Sequence, residues 1–445
     1  MLRSPDSTAT MTSTPPPDTA DASMTAPRPR LTHAHLIWAV GVFAYLCAVS
    51  GRAAFGVAGV EASARFGVDG TVLSLFGVVQ LGTYAAAQIP AGLLLDRIGP
   101  RRMLVLGAVT MAVGQLLLAL ATGVPVALLG RLLTGMGDAA TLISVVRLIA
   151  SWFPTGQVPV FTQLATMIGQ FGQAVAAVPF LAVLLGAGWT AAWSGLACLL
   201  LLSMLLVLAL VQDAPPEEPG AAVTPRAGAG ALLRAVFTSR AAWSGFFLHA
   251  LTLATVNAFL FLWGVPFLTE GHGLSAAEVG ALLTLNVVVM VALGPLIGLL
   301  TGRFPQHRAM LGGIAGAILA AAWTAILLVP TPLTAWQLVP LMVALAVGSA
   351  TCSVGFDLAR TGVPPRAIGT ATGMVNIGGY STSLLAVLMI GVVLDLRAPD
   401  GAATLADYRA AFASTGVLMA AVALGLLLTG RGGARPSLSR PADRR

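Results

Sequence analysis

Twelve apolar stretches, each about 20 residues or longer, run through the sequence. Wound as a helix, such a stretch crosses the ~30 Å hydrocarbon core of a bilayer, where backbone polar groups must pair within the protein. The stretches fall at 34–58, 71–94, 103–122, 125–150, 159–186, 190–211, 242–269, 276–301, 309–330, 334–356, 367–394 and 410–430. Only 9% of residues are charged, against about 25% in soluble domains, and mean hydropathy is +0.88. The fold class read from this is an all-α integral membrane protein with 12 transmembrane helices. An even number of crossings leaves both termini on one side.

Six stretches precede and six follow a polar linker, "VQDAPPEEPGAAVTPRAGAGALLRAVFTSR". The expected organisation is a Ser-, Thr-, Pro- and Asp-rich disordered tail (1–33), a six-helix bundle (34–211), a linker (212–241), a second six-helix bundle (242–430) and a basic tail (431–445). The first tail has no apolar run ending in a small-residue cleavage site, so the first span is expected to be uncleaved. With both termini inside, nineteen arginines fall in cytoplasmic segments and five elsewhere (Arg52, Arg65, Arg131, Arg397 and Arg409), the positive-inside bias. All 24 basic residues are Arg. A phosphate-binding loop and a Schiff-base enzyme each need a Lys, so both are excluded within this chain. The arginines are scattered over short loops, which argues against nucleic acid as a partner. Cys47, Cys198 and Cys352 lie far apart in apolar stretches without metal-ligand spacing. No metal, cofactor or catalytic residue is expected, and an enzyme is the least supported class. The Lys-free, Ala-, Gly- and Arg-rich composition resembles the product of a GC-rich bacterial genome, which places the chain in a bacterial inner membrane.

The halves repeat. "GLLLDRIGPRR" (92–102) follows the second span and "GLLTGRFPQHR" (298–308) follows the eighth. Arg97 matches Arg303 and Arg102 matches Arg308, while Asp96 is replaced by Gly302. Two six-span repeats of this kind imply a transporter with a central site near the midplane. The first segment, with Gly92, Asp96, Arg97, Gly99, Arg101 and Arg102, resembles the loop 2–3 signature of the major facilitator superfamily, although Pro100 stands where a basic residue is common. "GRLLTGMG" resembles that family's fourth-helix signature. The resemblance extends from about residue 34 to 430 on the length rule for spans. It implies two six-helix pseudo-repeat bundles, with helices 1, 4, 7 and 10 lining a cavity and 2, 5, 8 and 11 beside it. It also implies that Asp96 faces the N-terminus of helix 11, near Arg366, and latches the cytoplasmic side shut, helped by the helix macrodipole. The bland alternative for the loop arginines is anchoring at the membrane surface. The fifth span keeps Pro179 but lacks the flanking Gly pairs of the family's drug antiporters, which disfavours multidrug efflux.

Helical spacing sorts the intramembrane polar residues into stripes. The first span carries Trp38, Tyr45 and Arg52; the second Gln80, Tyr84 and Gln88; the fourth Arg131, Thr134, Asp138 and Thr141. The fifth carries Gln163, Thr166, Gln170 and Gln173; the seventh His249, Thr252, Phe259 and Trp263; the eleventh Asn376, Tyr380 and Ser383. Arg147 lies near the cytoplasmic end of the fourth span, where it is expected to snorkel. Arg52 and Arg131 share a level in the outer half, with Asp138 about 10 Å deeper. Two readings stay open for each group. The Gln, Thr and Asn residues either join helices or touch substrate. His249 is either a satisfied neutral imidazole or a proton relay. Asp138 is either a fixed counter-ion of Arg131 or Arg52, or a site that exchanges a proton. Asp357 and Arg360, at i and i+3, read as a gate or an anchor.

The expected function is secondary active transport of a small polar or anionic solute by alternating access, coupled to protons, by a monomer in the lipid bilayer. The anionic preference rests on two cavity arginines, since Arg recognises carboxylate or phosphate bidentately. The alternatives are efflux by proton antiport, proton-independent facilitation, and a non-transporting receptor-like protein of the same fold.

Overall fold

The computed structural model describes residues 31–68, 70–215, 228–398 and 403–430. The expected tails, apart from residues 31–33, and linker residues 216–227 fall outside that set. Among the described residues the chain is helical, without strands. Twelve long helices succeed one another: α1 Leu31–Val57, α2 Gly70–Ile98, α3 Pro100–Leu120, α4 Val124–Trp152, α5 Val158–Ala187, α6 Trp189–Leu210, α7 spanning 240–271, α8 Ala276–Arg303, α9 Arg308–Leu328, α10 Ala335–Thr361, α11 Ile368–Arg397 and α12 Leu405–Gly430. Eleven of these are each long and apolar enough to cross a membrane; α7, the twelfth, is divided by two π turns at Phe259–Trp263 and Phe267–Gly271.

Local chemistry explains the ends. Pro100, Pro125 and Pro159 sit in first turns, where a missing N–H costs nothing. Ser275 with Glu278, and Thr334 with Gln337, close capping boxes at α8 and α10. Pro179 lies in a π turn of α5 (Ala176–Phe180), an adjustment that re-aims a helix without breaking it. Large apolar side chains on α2, α8 and α11 point outward, as expected of helices in lipid, whereas α4, with every residue from 137 to 146 buried, is the most enclosed of the eleven.

Within the first half α1 packs against α4, α5 and α6, and within the second α7 packs against α10, α11 and α12. One apolar cluster, with Val146 and Ile149 from one half and Phe356 and Met374 from the other, runs across both. The halves meet along α2–α11 and α5–α8, pairs that the sequence repeat relates. Opposite the termini, the connections of the second half are tied by His272. Its Nδ1 accepts the Leu333 backbone N–H at 2.9 Å, and burial holds its imidazole below the ordinary 6.5. The neutral form is therefore favoured in the folded state. Its stabilisation is present above pH ~6.5 and is lost as pH falls through the lower folded value. Thermal unfolding in detergent should show a loss below pH 6.5 that flattens in His272→Gln; an unchanged slope would remove this role.

Candidate functional site

The cross-bundle polar cluster begins on α1 and α4. Arg52 Nη1 donates to Asp138 Oδ2 at 3.0 Å. Asp138 is 1% exposed and the Arg52 side chain 15% exposed, so the carboxylate lies behind the guanidinium. Arg131 and Asp138 share a stripe on α4, yet Asp138 forms its ion pair across to α1. Arg131 instead donates from Nη2 to the Arg52 carbonyl at 3.5 Å, and its guanidinium stands 4.6 Å from the Phe55 ring centroid. Arg131 Nε and Nη1 are buried without a hydrogen-bond partner among the described residues. The cluster therefore holds two guanidiniums against one carboxylate.

From Arg52 the polar groups descend toward the face bearing the termini. Its guanidinium lies over the Tyr84 ring at 5.8 Å. Tyr84 Oη accepts from Asn376 Nδ2 at 2.7 Å, across the two halves, and the Tyr84 and Tyr380 rings meet edge-on at 4.8 Å. Tyr45 Oη accepts from Gln170 Nε2 at 3.3 Å, which Gln173 supports from Nε2 to Gln170 Oε1 at 2.6 Å. Gln80 is buried, with its backbone carbonyl against Gly135. His249 Nδ1 lies 2.8 Å from the Cys352 carbonyl, which assigns that nitrogen the proton, and the ring packs on Phe356. Its Nε2 is buried without a partner among the described residues. Asn257 of α7 donates to Ser383 of α11 at 3.0 Å, and Trp263 to the Val387 carbonyl at 3.0 Å; these contacts join helices within the second half.

Below Tyr84 the halves are sealed. The Asp96 carboxylate accepts the backbone N–H groups of Gly369 and Thr370, each at 2.8 Å, and the Thr370 hydroxyl at 2.7 Å. Asp96 thus sits on the orphan donors at the N-terminus of α11. Gly92 makes this possible, since a Cβ there would lie 2.7 Å from the Gly369 carbonyl oxygen. Arg147 donates to the Pro365 carbonyl across the seam, so it does not simply snorkel as the sequence implies; the approach of α11 supplies the acceptor. On the other seam Ser353 bonds Gln163, and Gly294, Gly298 and Gly302 of α8 face Met167, Val160 and Gly156. Every cross-half hydrogen bond shown lies at the Tyr84 level or nearer the termini. The conformer is closed on that face.

The other loop residues divide by contact. Arg97 and Arg102 are exposed. Arg101 donates from its backbone N to Asp213 Oδ1 at 2.7 Å and from Nη2 to the Leu208 carbonyl at 2.5 Å. Gly99 takes φ 84°, and a Cβ there would meet Asp213. Asp213, just past α6, thereby caps α3. Asp357 pairs with Arg360 at 3.0 Å within α10, near a buried Arg308 that donates to the Thr301 carbonyl at 3.0 Å. Asp213, Ser353 and Thr370 are not singled out by sequence reasoning, because each acts through a partner on a distant helix. Among the described residues no group of three or more His, Cys, Asp or Glu side chains is placed to hold a metal.

The sequence profile of the Major Facilitator Superfamily matches residues 41–387. A protein named as a probable sulfoacetate transporter, from Cupriavidus necator, is 21% identical over 386 residues, 82% of this chain and 88% of that one. A probable nitrate/nitrite transporter of Mycobacterium tuberculosis is 28% identical over 318 residues, covering 70% of this chain and 77% of its own. Among solved structures, the fucose:proton symporter of E. coli superposes with a TM-score of 0.66 at 15% identity, covering 89% of this chain and 99% of that one. A bacterial homologue of the iron transporter ferroportin, in an outward-facing state, gives 0.68 at 16% identity with the same coverage.

Proposed function

The chain belongs to the Major Facilitator Superfamily of membrane transporters, and on that footing we propose that it carries a small anionic solute by alternating access, coupled to protons. The observation that supports this is the charge count of the buried cluster: Arg52 and Arg131 oppose the single carboxylate of Asp138. An uncompensated charge away from water is costly, and an anion against the free side of Arg52 neutralises it. The relatives named for sulfoacetate and nitrate/nitrite transport both point to anions. Proton coupling follows from the same pair. A proton on Asp138 weakens its hold on Arg52 and releases the guanidinium for the anion, so proton and anion favour each other's binding by reciprocal linkage. His249 and the tyrosine and amide groups around Tyr84 complete the pathway below the cluster.

The arginine bias puts both termini, and hence the sealed face, in the cytoplasm of a bacterial cell, with the monomer in the inner membrane. This conformer is then outward-facing. Reconstituted vesicles with an imposed pH gradient test the reading, with nitrate and small sulfonate and carboxylate anions screened against neutral analogues. Wild type should take up an anion faster with an inward proton gradient, and Asp138→Asn should transport without gradient dependence. Preference for a neutral solute rejects the anion assignment; a variant with unaltered gradient dependence rejects coupling through Asp138.

A further inference from the structure

Gln88 is fully buried, and neither its Nε2 nor its Oε1 has a hydrogen-bond partner among the described residues. It follows Gln80 and Tyr84 on α2 at i, i+4 and i+8, on the face that runs from the ion cluster to the cytoplasm. At 1.5 Å per residue it stands about 12 Å beyond Gln80. Its backbone carbonyl abuts Gly373 of α11, so it lies on the seam itself, one turn above the Gly92–Gly369 contact.

A primary amide with both ends unmet is a poor filler for a permanent seal, because an apolar side chain of similar shape avoids the whole desolvation penalty. The amide suits a surface that is sealed in one conformer and bared in the other. We propose that Gln88 is an exit-side substrate contact, shut away while the transporter faces outward and presented to the anion when α2 parts from α11. Once bared, Nε2 donates to an anionic oxygen leaving Arg52, and Oε1 accepts from water. The same orphan amide raises the free energy of the closed cytoplasmic seam and so favours its opening. The substrate assignment rests on the anion reading above; the effect on the seam does not.

Gln88→Leu tests both parts, since Leu fills similar space without a polar group. Transport of the anion found in the vesicle screen would be measured from each face in proteoliposomes of defined orientation. The half-saturating concentration should rise about 25-fold from the cytoplasmic face, about fivefold from the lost hydrogen bond and about fivefold from the tighter seam. It should stay within about twofold from the outer face. Without substrate, hydrogen exchange of the 368–376 segment should slow about fivefold or more as the seam tightens. A cytoplasmic rise no larger than the slowing of exchange overturns the exit contact, as does equal weakening from both faces or no change from either. Should wild type carry no anion, it is the functional reading that fails. The exchange measurement then still decides the seam effect: slowed exchange upholds it and unchanged exchange overturns it.

Discussion

Arg52→Gln is expected to lower anion transport about 100-fold or more and to destabilise the first half by about 3–5 kcal/mol. The two effects have different sources. Stability falls because Asp138, 1% exposed, loses the ion pair that compensates its burial. Transport falls because the free side of the guanidinium, worth about 1.5–3 kcal/mol per charged hydrogen bond, no longer meets the substrate. Combining Arg52→Gln with Asp138→Asn separates them. The second change neutralises the stranded carboxylate, so thermal unfolding should return most of the way toward wild type while transport stays lost. Arg52→Lys should keep the pair but transport weakly, because an ammonium lacks the planar fork. Recovery of transport in the double variant would show that Arg52 serves the fold alone.

Asp96→Asn should move the resting population toward the inward-facing conformer by about tenfold or more. Its carboxylate accepts three hydrogen bonds from α11, two of them from backbone N–H groups at the helix N-terminus. An Asn offers one acceptor oxygen and turns its NH2 group toward a backbone N–H of Gly369 or Thr370, which cannot accept it. Losing even one charge-assisted bond is worth about 1.5–3 kcal/mol, and the attraction to the helix dipole goes with it. Spin-label distances between the cytoplasmic ends of α2 and α11 should broaden toward a longer component in detergent without substrate. An unchanged distribution would leave Asp96 a helix cap without control over the seam.

The count of crossings was readable from the sequence because hydrocarbon imposes a length on each helix, and that constraint acts locally. Asp96 was reached by another route, through the resemblance of its loop to a family signature, since its partners on α11 lie 273 and 274 residues away. The ion cluster shows where local reading stops. Spacing on one helix places Arg131 and Asp138 on one stripe, but which arginine takes the carboxylate depends on how α1 is rotated against α4. That rotation delivers Arg52 to Asp138 and Phe55 to Arg131. Arg147 reads as a surface anchor until α11 brings the Pro365 carbonyl to it. Ser353 and Asp213 carry no signal of their own, since their partners lie 190 and 112 residues away. The π turns of α7 were likewise hidden, because a single inserted residue leaves the apolar run intact.

The glycines along the seam carry a kinetic consequence. Where Gly92 meets Gly369, and Gly298 meets Val160, main chain lies against main chain with no side chain seated in a socket. Parting such surfaces demands little rotamer rearrangement, so friction between the halves is low and the rate of rocking is governed at a few polar fastenings. A methyl group at Gly92 or Gly298 would act as a wedge. It would hold the molecule ajar on one side without touching the anion site, and the transporter would stall by geometry while its chemistry stayed whole.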